Sequence, residues 1–398
     1  MSSNSNSDSS SVRVVVLGCG FGGVEVAKEL QKRSKSKSGS KRKRMRIDIT
    51  MIDRRTRFDY QAANPEILSG KVTPADISAD LYSFANRIDA EFINDEVVDI
   101  DFSEKEVKTR TGTIPVPYDY LVIAVGGEQA FFGIPGAEER SHCINTLEGA
   151  VKTKEALDEL EPDNSNSNSA MTIAVIGAGL TGVEVAGELV ESRSDARVCL
   201  VERMPRILPA FPAPDIASFV TRRLMDRGVE ILTGLAVEEV KDNEIVLSGQ
   251  HGHRHRLPYD ILIWTAGLKP GRLLERLKLP KVRGWIRVDP YLRVDGMSDV
   301  FAVGDNAYFE YDGIRSGQNV EEAEREGKIA AVNIIRTVNG DKLKRYKPKN
   351  TIQNPRAIIS LGGNTAVIYA CGRAFTIFGF GYKLKKFIEH RYMRRFRA

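Results

Sequence analysis

VRVVVLGCGFGG at residues 12–23 and IAVIGAGLTG at residues 173–182 decide how this chain folds. Each opens with an apolar run suited to a strand buried on both faces of a parallel sheet. Each then breaks into a Gly-x-Gly-x-x-Gly turn, built from Gly18, Gly20 and Gly23 in the first and Gly177, Gly179 and Gly182 in the second. A helical pattern follows, then a second apolar run, IDITMI (47–52) or VCLV (198–201), and each of these ends in an acid, Asp53 or Glu202. Strand, glycine turn, helix, strand and acid make the βαβ unit of a doubly wound sheet. One such match is weak, because glycine-rich turns are common. Two in the same order in one chain leave coincidence a poor explanation.

The residue types state the chemistry. The first glycine permits a tight turn, the second lets backbone approach a pyrophosphate, and the third lets helix pack close to strand. The helix start then offers free N–H groups and partial positive charge to phosphates. Phe21 lies in the first turn, and Arg54 follows Asp53, so both join that candidate site. The Gly18-to-Asp53 spacing exceeds the usual ~20 residues, and a basic insertion at 32–46 accounts for the excess. Glu202 favours NADH over NADPH, since a carboxylate repels an added phosphate; Arg203 and Arg206 nearby act the other way. A third element, VFAVGDN at 300–306, puts the Gly304-Asp305 pair at the end of an apolar run. Alone it reads equally well as a helix cap or turn; with the first glycine motif it suits the ribityl chain of FAD.

The expected class is α/β, with two Rossmann-like dinucleotide-binding domains, the FAD domain split by an inserted NAD(P)H domain. The expected boundaries are a disordered leader at 1–11, the first part of the FAD domain at 12–150, the nucleotide domain at 171–280, the second part of the FAD domain at 281–350 and a membrane-associating region at 351–398. A polar Asn/Ser linker at 161–169 marks the first crossing.

Net charge is +5, but nine basic residues lie in 32–46 and seven, against one acid, in 381–398, so the rest of the chain is acidic. The 32–46 run lacks interleaved aromatics and reads as a solvated insertion, with no nucleic-acid module around it. No secretory signal is legible, and no apolar run approaches the roughly 18 residues needed to span a bilayer. Cys19, Cys143, Cys199 and Cys371 are scattered, with no Cys-x-x-Cys pair and no metal-ligand spacing. That argues against reductases built on closely spaced redox cysteines, and no metal site is expected.

TGVEVAGEL (181–189), YDYLVIAVG (118–126), YDILIWTAG (259–267) and FAVGD (301–305) together resemble the type II NADH:quinone oxidoreductases, single-chain NADH dehydrogenases that pump no protons. The likeness runs from about Val12 to the C-terminus. It implies that Gly18, Gly20, Gly23 and Asp53 hold the FAD adenosine and pyrophosphate, that Ala124 and Gly126 line the flavin, and that Gly304 and Asp305 meet the ribityl chain. It implies NADH on Gly177, Gly179, Gly182 and Glu202, with Gly267 where the chain returns to the FAD domain. Glu184 matches the family's acid near nicotinamide and flavin, where it positions the nucleotide or relays protons; the alternative is a polar helix residue without a chemical role. Where the family carries Ala-Gln and Gln-Gln-Gly beside the quinone, this chain has Val320-Glu321 and Arg325-Glu326-Gly327. A carboxylate there, Glu321 in the first place, becomes a proton donor if burial raises its pKa, or it signals another acceptor.

Leu384, Phe387, Ile388, Tyr392 and Phe396 fall on one helical stripe ringed by Lys383, Lys385, Lys386, Arg391, Arg394, Arg395 and Arg397, downstream of the apolar FTIFGF at 375–380. This reads as a basic helix lying on a membrane surface, peripheral and on the cytoplasmic face. Packing on its own domain, or a homodimer contact, is the competing use. The rival functions are a sulfide:quinone oxidoreductase, which needs suitably placed cysteines, and a redox-sensing flavoprotein like apoptosis-inducing factor.

Overall fold

The computed structural model describes residues 11–35, 46–160, 170–249, 252–376 and 379–397. Residues 1–10, most of the basic insertion, the 161–169 linker, and Ile377 and Phe378 of the 375–380 run lie outside the described residues. The chain forms two compact units. One is made of Met1–Phe58, Ala79–Gly127 and Pro270–Asn350; the other of Asp59–Ser78, Glu128–Lys269 and Thr351–Ala398.

The first unit is built on a five-stranded sheet in the order Val300–Ala302, Tyr120–Ile123, Val12–Leu17, Ile47–Asp53, Glu91–Asn94. All four pairings are parallel, with Val14 opposite Ile49 on one side and Tyr120 on the other. The central strand is apolar without alternation because both its faces are covered: Val14, Val15, Val16 and Leu17 are all buried. The helix Phe21–Lys35 buries Val24, Val26, Ala27 and Leu30. It meets the helix Val320–Val338 so closely that a Cβ on Gly327 would stand 2.6 Å from the Gly22 carbonyl oxygen. Only glycine permits that crossing.

The second unit repeats the plan: His142–Cys143, Ile261–Trp264, Thr172–Ile176, Arg197–Glu202, Glu230–Thr233, again all parallel. Trp264 is fully buried in a cluster with Ile176, Val201 and Leu262. Its indole N–H is shared between the carbonyls of Ala130 and Ala266, at 2.9 and 3.0 Å.

These units group the chain differently from the sequence boundaries at 150 and 280, while the change of unit after Asn350 falls at the third. Residues 128–150 join the second unit, because the short strand His142–Cys143 completes its sheet and Ala130 accepts from Trp264. Residues 270–280 join the first. The C-terminal region belongs to the second unit, where it docks on the helix Leu180–Ser192. A Cβ on Gly187 of that helix would lie 2.5 Å from the Leu361 carbonyl carbon.

The terminal stripe also divides differently. The helix Phe380–Arg397 turns Lys385, Glu389, Tyr392, Met393 and Phe396 inward, leaving Phe387 62% and Ile388 45% exposed. The sequence placed Lys385 on the polar rim. It is buried because the underlying surface is acidic rather than apolar. Among the described residues no helix is long and apolar enough to cross a membrane.

Gly187→Ala is expected to destabilise the protein by about 1–3 kcal/mol, the range for overpacking a tight contact. A lowered urea midpoint with an unchanged slope checks this.

Candidate functional site

At the carboxyl edge of the first sheet, Gly18 has φ +88°, and a Cβ there would meet the Ala124 carbonyl oxygen at 2.4 Å. A Cβ on Gly23 would meet the Gly18 carbonyl oxygen at 1.9 Å. Gly20, by contrast, faces open space, with nothing within 4 Å of its would-be Cβ. Two glycines are thus required by the protein's own backbone, and the middle one is free for a ligand. That is the cradle a pyrophosphate needs. The carboxylate of Asp53 clamps the turn: Cys19 N–H donates to its Oδ2 at 2.7 Å and Arg55 N–H to its Oδ1 at 2.9 Å. Phe21 packs edge-on against Phe58 at 5.2 Å. Arg54 is exposed, and it is Arg55 whose guanidinium lies 3.7 Å from Asp53.

The second turn has the same geometry. Gly177 has φ +95° and presses on Ala266, a Cβ on Gly182 would meet the Gly177 carbonyl oxygen at 1.8 Å, and Gly179 faces open space. Ala178 N–H donates to Glu202 Oε2 and Met204 N–H to Oε1, each at 2.8 Å. Arg206 is committed to the Phe211 carbonyl at 2.6 Å, and Arg203 is exposed. Gly267 has φ +76°, and the Phe132 ring fills the place where its side chain would be.

The third element completes the first edge. Gly304 has φ +76°. Asp305 takes no side-chain hydrogen bond from the described residues, and burial raises its carboxyl to about 6. An unpartnered, desolvated carboxyl fits a ligand hydroxyl, so the donor and acceptor set suits a flavin dinucleotide. Asn306, quoted in the motif but given no role, is fully buried and is the link between turns. Its amide donates to the Ile123 carbonyl at 2.9 Å and accepts from Gly126 N–H at 2.9 Å. It thereby ties Ala124–Gly126 to Gly304–Asp305. A buried Asn after Gly-Asp is the one signal that could have found it.

Within the second unit, Glu184 is part of a buried ionic cluster. Lys385 Nζ lies 2.8 Å from Glu184 and 3.2 Å from Glu66, and Ser360 N–H donates to Glu184 at 3.0 Å. Lys71 meets Glu188 at 2.7 Å, and Lys386 bridges Glu66 and Glu389 at 3.1 and 2.7 Å. Burial pushes the Glu184 carboxyl up, and Lys385 opposes it. For Glu66 burial acts in the same direction, but Lys385 and Lys386 prevail and lower it. For Lys385 burial alone would lower the ammonium, and the carboxylates of Glu184 and Glu66 more than reverse this. Such pairs are retained only where each charge is matched, since an unpartnered buried charge costs about 3–5 kcal/mol. Glu321 is half-buried, with Asn350 Nδ2 3.4 Å from its carboxylate. Its neighbour Glu326 is the deeply buried acid, and burial raises it to about 8.

A pyridine nucleotide-disulphide oxidoreductase family model matches residues 12–327, which spans both glycine turns and the Gly304–Asp305 element. The chain belongs to that family. Like other members it is similar to a type II NADH:quinone oxidoreductase of Staphylococcus epidermidis, 27% identical over 344 residues, covering 82% of this chain and 83% of the relative. Its fold matches NDH2 from Plasmodium falciparum in complex with NADH, TM-score 0.81 at 17% identity, covering 95% and 94% of the two chains. It matches the sulfide:quinone oxidoreductase from Aquifex aeolicus equally, TM-score 0.81 at 20% identity, covering 97% and 92%. At these identities the structures establish the fold alone. This family member forms no disulfide among the described residues: Cys19 and Cys199 are buried, Cys143 is half-buried and Cys371 exposed, all free. Burial raises the Cys143 thiol to about 11 and that of Cys199 to about 12, which keeps both protonated and unreactive.

Gly179→Ala is expected to leave the unfolding free energy within about 0.5 kcal/mol of the parent while weakening NADH binding, because no protein atom lies within 4 Å of its Cβ. Gly182→Ala is expected to lower both. Titration of NADH beside denaturation separates the two.

Proposed function

We propose that this chain is an FAD-dependent NADH:quinone oxidoreductase acting at a membrane surface. The observation that carries the reading is the doubled clamp: two glycine turns in one chain, each with an open middle glycine and each held by an acid through a turn N–H, Cys19 to Asp53 and Ala178 to Glu202. Two dinucleotide cradles imply transfer between two dinucleotides, and relatives named as type II NADH:quinone oxidoreductases support the donor and acceptor.

FAD, when bound, supplies the two-electron carrier between nicotinamide and quinone. The chain's part is positioning. Gly18, Gly20, Gly23 and the start of the helix Phe21–Lys35 hold the pyrophosphate. Asp53 accepts from a ribose hydroxyl with the lone pairs its two backbone bonds leave free, and Asp305 accepts from the ribityl chain. Ala124 and Gly126, fixed by Asn306, line the ring. Gly177, Gly179, Gly182 and Glu202 hold NADH, with Gly267 at the close approach. Glu202 is buried and takes two N–H bonds, and an acid in that place disfavours the extra phosphate of NADPH. Glu184, shared between Lys385 and Ser360, positions the nucleotide or passes a proton inward from the C-terminal helix. Glu321, in the first turn of the helix Val320–Val338, is assigned to the acceptor.

For the membrane, the supporting feature is the outward side of the terminal helix. Phe380 is 51%, Phe387 62% and Ile388 45% exposed, among the exposed cations Lys383, Arg391, Arg394 and Arg397. Apolar side chains ringed by cations fit an anionic lipid surface. The inward side is already used by Tyr392, Met393 and Phe396. The cytoplasmic face is the side on which NADH is available.

NADH is expected to bleach the visible flavin absorbance under anaerobic conditions, and a soluble quinone to restore it. Bleaching by sulfide but not by NADH overturns the assignment. Phe387→Asp is expected to reduce co-sedimentation with anionic vesicles without changing NADH-driven bleaching; equal sedimentation of parent and variant refutes the docking helix.

A further inference from the structure

Behind the Gly304–Asp305 turn runs a buried chain of polar groups that the proposed reaction does not use. Gly304 N–H donates to Glu326 Oε2 at 2.7 Å. The other oxygen of Glu326 lies 2.9 Å from the Ser316 hydroxyl, which lies 3.0 Å from the Tyr346 hydroxyl. Tyr346 in turn donates to Glu322 Oε2 in a very short hydrogen bond. Glu322 Oε1 accepts the N–H groups of Lys349 and Asn350 at 2.9 and 2.8 Å, and Arg325 stands 3.4 Å from Oε2. Glu326, Tyr346 and Glu322 are at most 3% exposed and Ser316 is 8% exposed.

Counting hydrogens fixes the states open to this chain. Glu322 takes two backbone N–H groups on one oxygen and has Arg325 beside the other, so it is the accepting end, and the Tyr346 hydrogen points to it. Ser316 owns one hydrogen and sits between Tyr346 and Glu326. With Glu326 protonated, every hydrogen points one way: Glu326 to Ser316, Ser316 to Tyr346, Tyr346 to Glu322. With Glu326 ionised, the Ser316 hydroxyl must swing to it, and Tyr346 loses its donor. Only Glu326 changes its proton count between the two.

We propose that Glu326, Ser316 and Tyr346 form a hydrogen-bonded wire behind the flavin turn, whose hydroxyl hydrogens reorient with the charge on Glu326, and that this charge sets how readily the bound flavin accepts electrons as pH changes. The inference rests on assigning Gly304–Asp305 to the flavin. Glu326 acts through the Gly304 N–H and through its field, so it is a positioning residue. Losing its proton places a negative charge behind the turn, which disfavours adding electrons in front of it.

The surrounding charges leave Glu326 as the group that responds. On its own helix Glu322 is held by Arg325, and Lys328 is engaged by Glu25 at 3.6 Å and Glu324 at 3.7 Å. On the helix Phe21–Lys35, Glu25 has Lys28 at 3.7 Å as well. Arg315, next to Ser316, stacks on the Tyr308 ring, and Arg345, next to Tyr346, on the Tyr311 ring. Asp305, on the turn itself, titrates lower, at about 6. No described cation pairs with Glu326, and burial raises it from 4.5 to about 8. The sign follows: the protonated wire's contribution to stability is complete below the ordinary glutamate range and is lost as pH rises through about 8.

The test is the midpoint potential of the FAD-loaded full chain against pH, on both sides of about 8, beside the urea midpoint of the same preparations. The parent is expected to show a potential that falls more steeply above about 8, and a stability that declines up to about 8 and levels off beyond it. Glu326→Gln can still accept from Gly304 and donate to Ser316, and it is expected to lose both changes. Ser316→Ala removes a donor to ionised Glu326 and is expected to move both breaks to higher pH. A Glu326→Gln potential profile that keeps the parent's steepening overturns the proposal, as does loss of the stability break alone. Should Glu326→Gln fail to fold, an unmoved break in Ser316→Ala overturns it. A parent that takes up no FAD overturns the flavin assignment itself, which the absorption spectrum shows before any potential is measured.

Discussion

An acid at the end of one strand holding the N–H of the glycine turn that ends the next is the constraint on which the rest depends. Asp53 does this for Cys19 and Glu202 does it for Ala178. The bond needs the two strands parallel and adjacent, with ends level, and the registers Leu17 with Ile52 and Ile176 with Val201 supply that. It also needs the turn to pass under the sheet edge without side chains, which is why Gly18 and Gly177 hold φ near +90° against Ala124 and Ala266. The clamp uses two lone-pair sites of each carboxylate and leaves the others open. One arrangement therefore fixes the fold locally and prepares the ligand site.

Charge is handled differently in the two units. In the second, Glu66, Glu184, Glu188 and Glu389 are buried with Lys71, Lys385 and Lys386, so each carboxylate has a cation and the terminal helix is attached by ion pairs as well as by Tyr392 and Phe396. In the first, Glu326 is buried with a hydroxyl and a backbone N–H instead. Ion pairing holds charge constant over pH; hydroxyl and amide partners allow a proton to come and go.

Much of the fold was legible in the sequence, and for stated reasons. The four central strands, the two turns and both clamping acids follow from period, glycine spacing and a terminal carboxylate, all of which are local. The site was partly legible. Arg55 beside Asp53, the buried amide of Asn306 and the depth of Glu326 carry no mark in the sequence. In each case the deciding property was direction or depth of a side chain, which neighbours in sequence do not encode. The terminal helix shows the same limit: its apolar residues were taken as one stripe, yet Tyr392 and Phe396 turn inward and Phe387 and Ile388 outward.

By itself the sequence determined that two βαβ units with phosphate-cradling turns exist here, because strand hydrophobicity and the need for glycine at positive φ act within about 40 residues of chain. Tertiary structure alone decided which acids keep their protons and which are paired. Burial and partners come from segments far apart in the chain, as when Lys385 reaches Glu184 and Lys386 reaches Glu66, and desolvation exists only once those segments have closed over the group.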